Sequence, residues 1–501
     1  MAPCRSTIDW HVAHQRLRCN LPVRITTKGS GMRGIWKAMT VAAAGMALAP
    51  LAAAAQNRAD ERAFFDLYKQ LVETNTVVGE GSCTRAAQQI ATRLKSAGYT
   101  DAQVTLFSTP EHPEDGGVVA ILPGTDASAD AMLLLGHIDV VAAKREDWAR
   151  DPFKLIEEDG FYYGRGTVDD KGMSAIWADS MIRFKQEGFK PRRTIKLALT
   201  CGEETTYAFN GAQWLANNKP DLVRAAFVLN EGGGGRLDAQ GKRQALAIQV
   251  GEKAAQNFTF TSTNPGGHSS APTPDNAIYE LADAVKRVQG YEFPIKFTDT
   301  TRAFFTASAQ ALPPETGAAI KRLLANPADK RADAVVSRDK VLHSTLRTTC
   351  VATLVNAGHA ENALPQRATA NINCRIFPGE SVESTLAKLT ELAGPKVTVT
   401  ANQPVRPIAV PPPLDPRIMG AVQTLAAKHF PGTPVVPMMS TGATDAVFFG
   451  VLKMPVYGVP GIFLEPDLNG THGLNERIRV TALYEGRDYL HDLAKALATQ
   501  G

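Results

Sequence analysis

Nearly continuous apolar runs at residues 131–137, 194–200 and 224–230 alternate with stretches of helical apolar spacing at 171–187, which closes at Gly188, and at 209–217. A strand with no polar face must be covered on both sides, and a helix between strands supplies the cover and the crossover that parallel pairing needs. The alternation therefore predicts an α/β fold, a mostly parallel sheet covered by helices. Two more helical stretches, 60–76 and 84–97, come before it, and the second ends at Gly98. In such a sheet ligands gather beyond the carboxyl ends of the strands. His137, Glu203, Glu204 and Glu231 all follow those ends.

Five side chains of metal-ligand type follow strand-like runs: His137, Asp169, Glu204, Glu231 and, far downstream, His472. Taken singly, each has an ordinary explanation. Asp169 in a Gly-rich segment suits a turn, and Glu203-Glu204 suits a helix start. Glu231 before four glycines can simply end a strand, and His472 can lie on the surface. Jointly, carboxylates and imidazoles without cysteine suit zinc or a similar borderline ion. Five donors exceed what one tetrahedral ion needs, which points to a two-metal hydrolase site. Asp139 is two residues from His137 on a strand, so both face one side and Asp139 can orient the imidazole.

The rhythm changes near residue 252. Strand 255–263, helix 275–289, strands 345–355 and 368–377, helix 381–392 and strand 396–402 spell β-α-β-β-α-β, a ferredoxin-like unit. A long stretch at 291–344, partly helical at 314–325, interrupts it. Its Phe293, Phe297, Phe304, Phe305 and Leu312 suit either an acyl pocket or a local core. After Pro404 the α/β pattern resumes with helix 415–429 and strand 453–459. Residues 252–404 thus read as an insertion into a catalytic domain built from 56–251 and 405–501.

Residues 33–55 have the form of a secretory signal: Arg33 and Lys37, an apolar stretch at 38–49, then Ala53-Ala54-Ala55 before Gln56. The apolar stretch is shorter than the roughly 20 residues of a membrane span, so cleavage near Ala55 and a periplasmic or secreted protein are expected, with no stable anchor. Within the 1–55 leader Met32 offers an alternative start, leaving residues 1–31 upstream of the signal. The chain's formal charge of +4 belongs to that leader, because the remainder holds 47 basic and 49 acidic side chains. No nucleic-acid partner is indicated. The remaining length of about 446 residues suits two or three domains.

Six cysteines are too few for a disulfide scaffold, and Cys4 and Cys19 fall in the leader. Cys350 and Cys374 sit in the paired runs 345–355 and 368–377. Antiparallel pairing would bring them face to face in an oxidising compartment; free buried thiols are the alternative, here and at Cys83 and Cys201.

The segments Gly136-His137-Ile138-Asp139-Val140, Gly164 to Gly172 around Asp169, Gly202-Glu203-Glu204, Asn230-Glu231-Gly232 and His472-Gly473-Leu474-Asn475-Glu476 occur in that order. Together they resemble the motif set of the zinc aminoacylase/carboxypeptidase metallopeptidase family. Arg347-Thr348-Thr349, Glu361 to Pro365 and Asn373 to Gly379 look closest to its carboxypeptidase S and secreted N-acyl-amino-acid hydrolase branch. The resemblance implies a pair of divalent ions, zinc or alternatively cobalt or manganese. Asp169 would bridge them, His137 and Glu231 would complete one, Glu204 and His472 the other, and Glu203 would be the general base. It also implies a cis peptide after Asp169 and a substrate that is a small molecule or peptide with a free carboxylate. His268 would polarise the scissile carbonyl, often in a partner's site, and Arg375 would clamp the carboxylate, with Asn362 and Gly442 in the same pocket. Ser440-Thr441-Gly442-Ala443-Thr444-Asp445 departs from the family's Gly-Gly-Thr-Asp. A homodimer through the inserted unit is expected. The competing function is a catalytically silent, receptor-like relative, against which retention of Glu203 and every ligand speaks.

Overall fold

The computed structural model describes residues 59–205 and 209–500; the leader, its signal and Met32 lie outside them. Ten strands of the described residues form one sheet. Its order runs Val104–Thr109, His112–Leu122, Ile195–Thr200, Met132–His137, Phe227–Asn230, Val456–Gly458, Arg243–Glu252, Gly233–Leu237, Phe463–Leu464, and Val435–Ser440 pairs with Arg243–Glu252 off this path. The four strands from Ile195–Thr200 to Val456–Gly458 pair in parallel. Antiparallel pairs occur on either side of them.

Successive side chains of a strand point to opposite faces, so an all-apolar strand feeds two cores. Met132 and Leu134 join one, with Ile195, Leu197, Leu199, Phe227 and Leu229. Leu133 and Leu135 join the other, with Ala198 and Val228. The first core is closed by helices Ala59–Glu73, Cys83–Ser96, Lys171–Gln186, Pro416–His429 and Val480–Thr499. The second is closed by Gly211–Asn218, Pro220–Val223 and Ala446–Gly450.

A separate antiparallel sheet has the order Thr349–Ala357, Arg367–Ile376, Ala254–Thr263, Val397–Ala401. Helices Ala277–Gly290 and Val382–Ala393 pack on it around a core that includes Phe258, Phe260, Leu281, Ile372 and Leu389. This is the ferredoxin-like unit read from the sequence. The stretch before its second strand is far more helical than expected, with Asp299–Ala311, Pro314–Ala325, Lys330–Val336 and Lys340–Leu346. Phe305 is buried there with Ile320, Leu323 and Val336, and Phe297, Phe304 and Leu312 pack against them. Phe293 instead meets Tyr291 edge-on. Phe297, Phe304, Phe305 and Leu312 thus make a local core, without Phe293.

Cys350 and Cys374 face each other across the paired strands and are disulfide-bonded, Cα atoms 4.1 Å apart. A second disulfide, not anticipated, joins Cys83 to Cys201, 118 residues apart. It ties the first residue of one helix to the residue that precedes Gly202-Glu203-Glu204. Thiol titration of the denatured, unreduced protein without its leader is expected to find no free sulfhydryl. Four would contradict both bonds.

Candidate metal centre

His137 ends its strand and is almost fully buried. Its Nδ1 faces the main-chain oxygen of Asp139 at 3.1 Å and the Asp139 carboxylate at 3.5 Å, the closer contact being the main-chain one. The Nε2 atom is thereby aimed at Asp169 Oδ1, 3.1 Å away, and at Glu231 Oε1, 3.7 Å away. Asp139 does more than orient that ring. Its carboxylate accepts from the amides of Glu203, at 3.3 Å, and Glu204, at 3.0 Å, fixing the turn that presents both acids. Gly202 opens that turn with φ of +94°, and any Cβ there would run into the Phe209 carbonyl.

Asp169 sits between the two histidines: its other oxygen, Oδ2, is 3.1 Å from His472 Nε2. The same nitrogen lies 2.9 Å from Glu204 Oε1. The Asp169–Asp170 peptide is cis. Two three-donor groups, His137 with Glu203 and Glu231 and His137 with Asp169 and Glu204, each have ligand atoms within 4.8 Å of one another. All five sequence-derived ligands and Glu203 are thus brought together.

The electrostatics call for cations. Burial opposes charge on His137, yet Glu231, Asp139 and Asp169 outweigh it and hold its pKa well above the usual range. Hydrogen bonds to Asp169 and Glu204 raise His472 to about 10. Burial, then Glu231, push Glu203 well above the ordinary carboxylate range. Two imidazoles set among this carboxylate cluster make a donor set that fits divalent ions.

Sequence reasoning quoted Arg165 and Glu476 inside motifs but gave them no task. Glu476 is fully buried and accepts from the amides of Gly166, Val168 and Asp169 at 2.9, 2.8 and 3.1 Å. Arg165 donates to Glu476 at 2.7 Å and to the Gly473 carbonyl at 2.9 Å. The pair clamps the loop carrying Asp169 to the turn carrying His472, itself at φ of +59°. Breaking a buried pair strands a charge, so Arg165→Met is expected to lower stability by about 3–5 kcal/mol in urea denaturation. A loss under about 1 kcal/mol, the value of an exposed pair, would contradict the clamp. Asp445 was likewise missed as a brace: it accepts from Asn210 at 2.6 Å and Thr200 at 3.3 Å, and burial lifts it to about 7 despite Asn210.

A cavity of about 320 Å³ opens beside Glu203, Glu204 and His472, with Arg375 and Gly442 in its lining. His268 and Asn362 are not among the lining residues. They lie together elsewhere, where Gly267–His268 pairs with Ala363–Leu364, the Ser269 amide donates to the Asn362 carbonyl at 3.0 Å, and both residues are exposed.

A family model described as Peptidase family M20/M25/M40 matches residues 133–496. The chain is 31% identical over 424 residues to the N-fatty-acyl-amino acid synthase/hydrolase PM20D1 of Homo sapiens, covering 82% of each. It is 29% identical over 386 residues to the probable carboxypeptidase S-like 2 of Dictyostelium discoideum, covering 74% of this chain and 72% of that one. Among solved structures, the M20 family metallo-carboxypeptidase Sso-CP2 of Sulfolobus solfataricus aligns with a TM-score of 0.67 at 19% identity, over 87% of this chain and 99% of that one.

Proposed function

Since this chain belongs to peptidase family M20/M25/M40 and is a metal-dependent amidohydrolase, we infer that it cleaves the amide of N-acyl amino acids or short peptides with a free carboxylate at a two-metal site. The observation that carries this is the convergence of His137, Asp169, Glu204, Glu231 and His472 on one another, beside a cavity lined by Glu203, Glu204 and His472. Asp169, with one oxygen toward each histidine, would be shared by the two ions. His137 and Glu231 would hold one ion, Glu204 and His472 the other. When bound, the ions, zinc or a similar divalent metal, polarise the amide carbonyl and acidify water.

The chain's own residues manage the proton. Glu203 takes it from the attacking water and returns it to the departing nitrogen, a task suited to a carboxyl whose burial raises its pKa. Arg375, half-buried in the cavity lining, holds the carboxylate of the amino-acid half. His268 and Asn362, exposed and away from this cavity, suit a role in a partner's site. A panel of N-acetyl amino acids and dipeptides tests the reading: release of free amino acid from members of the panel is expected, and no release from any by metal-loaded protein would overturn it.

Export is supported by the signal-like leader and by two disulfides, which persist in oxidising compartments. Among the described residues no helix is long and apolar enough to cross a membrane. Residues 252–404 act as the inserted lid and dimerisation unit. The strand Thr349–Ala357 lies at the edge of its sheet and exposes Val351, Leu354 and Val355 at 59%, 70% and 73%. Such an apolar edge favours pairing with a second copy. Light scattering is expected to give a dimer that Val355→Lys converts to monomer; a wild-type monomer at micromolar concentration would refute this interface.

A further inference from the structure

Arg375 is not the only guanidinium in the cavity beside Glu203; Arg406 lines it too. The Arg406 amide donates at 2.9 Å to the side chain of Gln256, next to Ala255, and Ala255 is the cross-strand partner of Arg375. The Arg406 segment is thus anchored to the strand that pairs with Arg375, and both arginines line the one cavity. The Arg406 guanidinium lies 5.7 Å from the ring centroid of the buried Phe448, a contact that steadies it over the cavity. Among the described residues neither Arg375 nor Arg406 has a carboxylate partner, whereas Arg165, Arg347 and Arg487, the fully buried arginines, are all paired.

A third basic group, Lys253, lies near Arg375. Lys253 is fully buried, its Nζ held by the hydroxyls of Ser344 at 3.2 Å and Thr349 at 3.4 Å. Burial, and then Arg375, push it down to about 7. Arg375 and Arg406 are held by no carboxylate at ion-pair distance among the described residues, so a ligand that brings matching anions gives them partners. A carboxylate engages one guanidinium bidentately, so two open guanidiniums match two carboxylates. Arg375 already faces the amino-acid half of the substrate, and Arg406 lines the same cavity, so the second anion is assigned to the same half.

We propose that the amino acid released is dicarboxylic, glutamate or aspartate, with Arg375 on one carboxylate and Arg406 on the other. The proposal rests on the amidohydrolase reading. Its test is a comparison of N-acetyl-glutamate with its isostere N-acetyl-glutamine, on metal-loaded wild type and Arg406→Met. The wild type is expected to favour the glutamate compound at least about tenfold in kcat/KM, because a site built for a charged group leaves its guanidinium unpaired by the amide. Arg406→Met is expected to bring the glutamate value down to that of glutamine. Equal wild-type values would overturn the proposal, as would a preference that survives in Arg406→Met or equal losses on both compounds in that variant. If the wild type hydrolyses neither, nor any other N-acyl amino acid or dipeptide, the amidohydrolase reading fails. Calorimetric binding of the two compounds to metal-loaded protein then decides the two-anion site separately. Tighter binding of N-acetyl-glutamate that Arg406→Met removes supports it, and equal binding rejects it.

Discussion

Replacing Glu203 with alanine is expected to lower kcat by about 10²–10⁴, the usual worth of a positioned general base, with metal content unchanged. The structure makes the outcome informative because Glu203 is not remote from the ligands. Its carboxylate belongs to the same close donor group as His137 and Glu231, so it has the chemistry to coordinate as well as to carry a proton. Its neighbour Glu204, on the same turn, is the one that meets His472 at 2.9 Å. The two acids share a brace, since Asp139 accepts from both amides, so the alanine variant leaves Glu204 where it is. Turnover and metal stoichiometry measured on one preparation separate the roles. Activity lost with both ions retained marks a proton carrier; activity and an ion lost together would mark a ligand.

Asp169→Asn is expected to abolish turnover and weaken metal binding by more than the roughly 10–100-fold that loss of a ligand's outer partner costs. Among the described residues Asp169 alone touches both histidines, at 3.1 Å in each case, and a neutral amide can offer only one oxygen where the carboxylate offers two. The main-chain anchor should persist, because the Asp169 amide donates to Glu476 whatever the side chain. A folded variant with weak metal binding is therefore expected. Metal titration and circular dichroism check the two halves, and unaltered affinity would remove Asp169 from the bridging position.

Three of the candidate ligands, His137, Glu204 and Glu231, were legible because each follows a strand whose apolar run is unmistakable, and strand ends in a parallel sheet converge, whereas Asp169 and His472 rested on the ordered motif set. His137 after Met132–His137 and Glu231 after Phe227–Asn230 are read this way. What escaped was mostly long-range or disguised. His112–Leu122 begins with Pro113, Glu114, Asp115 and two glycines, a composition that signals a turn, yet it runs eleven residues beside the central strands. Gly233–Leu237 follows Glu231 with three glycines, a composition that signals a break, and is a strand itself. The terminal helix Val480–Thr499 carries a clear apolar stripe through Leu483, Leu490, Leu493 and Leu497 but holds no ligand to draw notice. Spacing offers no hint that Cys83 meets Cys201, or that Arg165 meets Glu476 across 311 residues. Those contacts exist because distant loops fold over the same strand ends.

The most direct measurement is metal content together with amide hydrolysis, on protein beginning at Gln56, before and after chelation. The expected result is two divalent ions per chain, with turnover of an N-acyl amino acid or dipeptide that disappears on chelation and returns with zinc, cobalt or manganese. Well-folded protein that binds no ion, or that hydrolyses the same substrates equally well after chelation, would contradict the central claim.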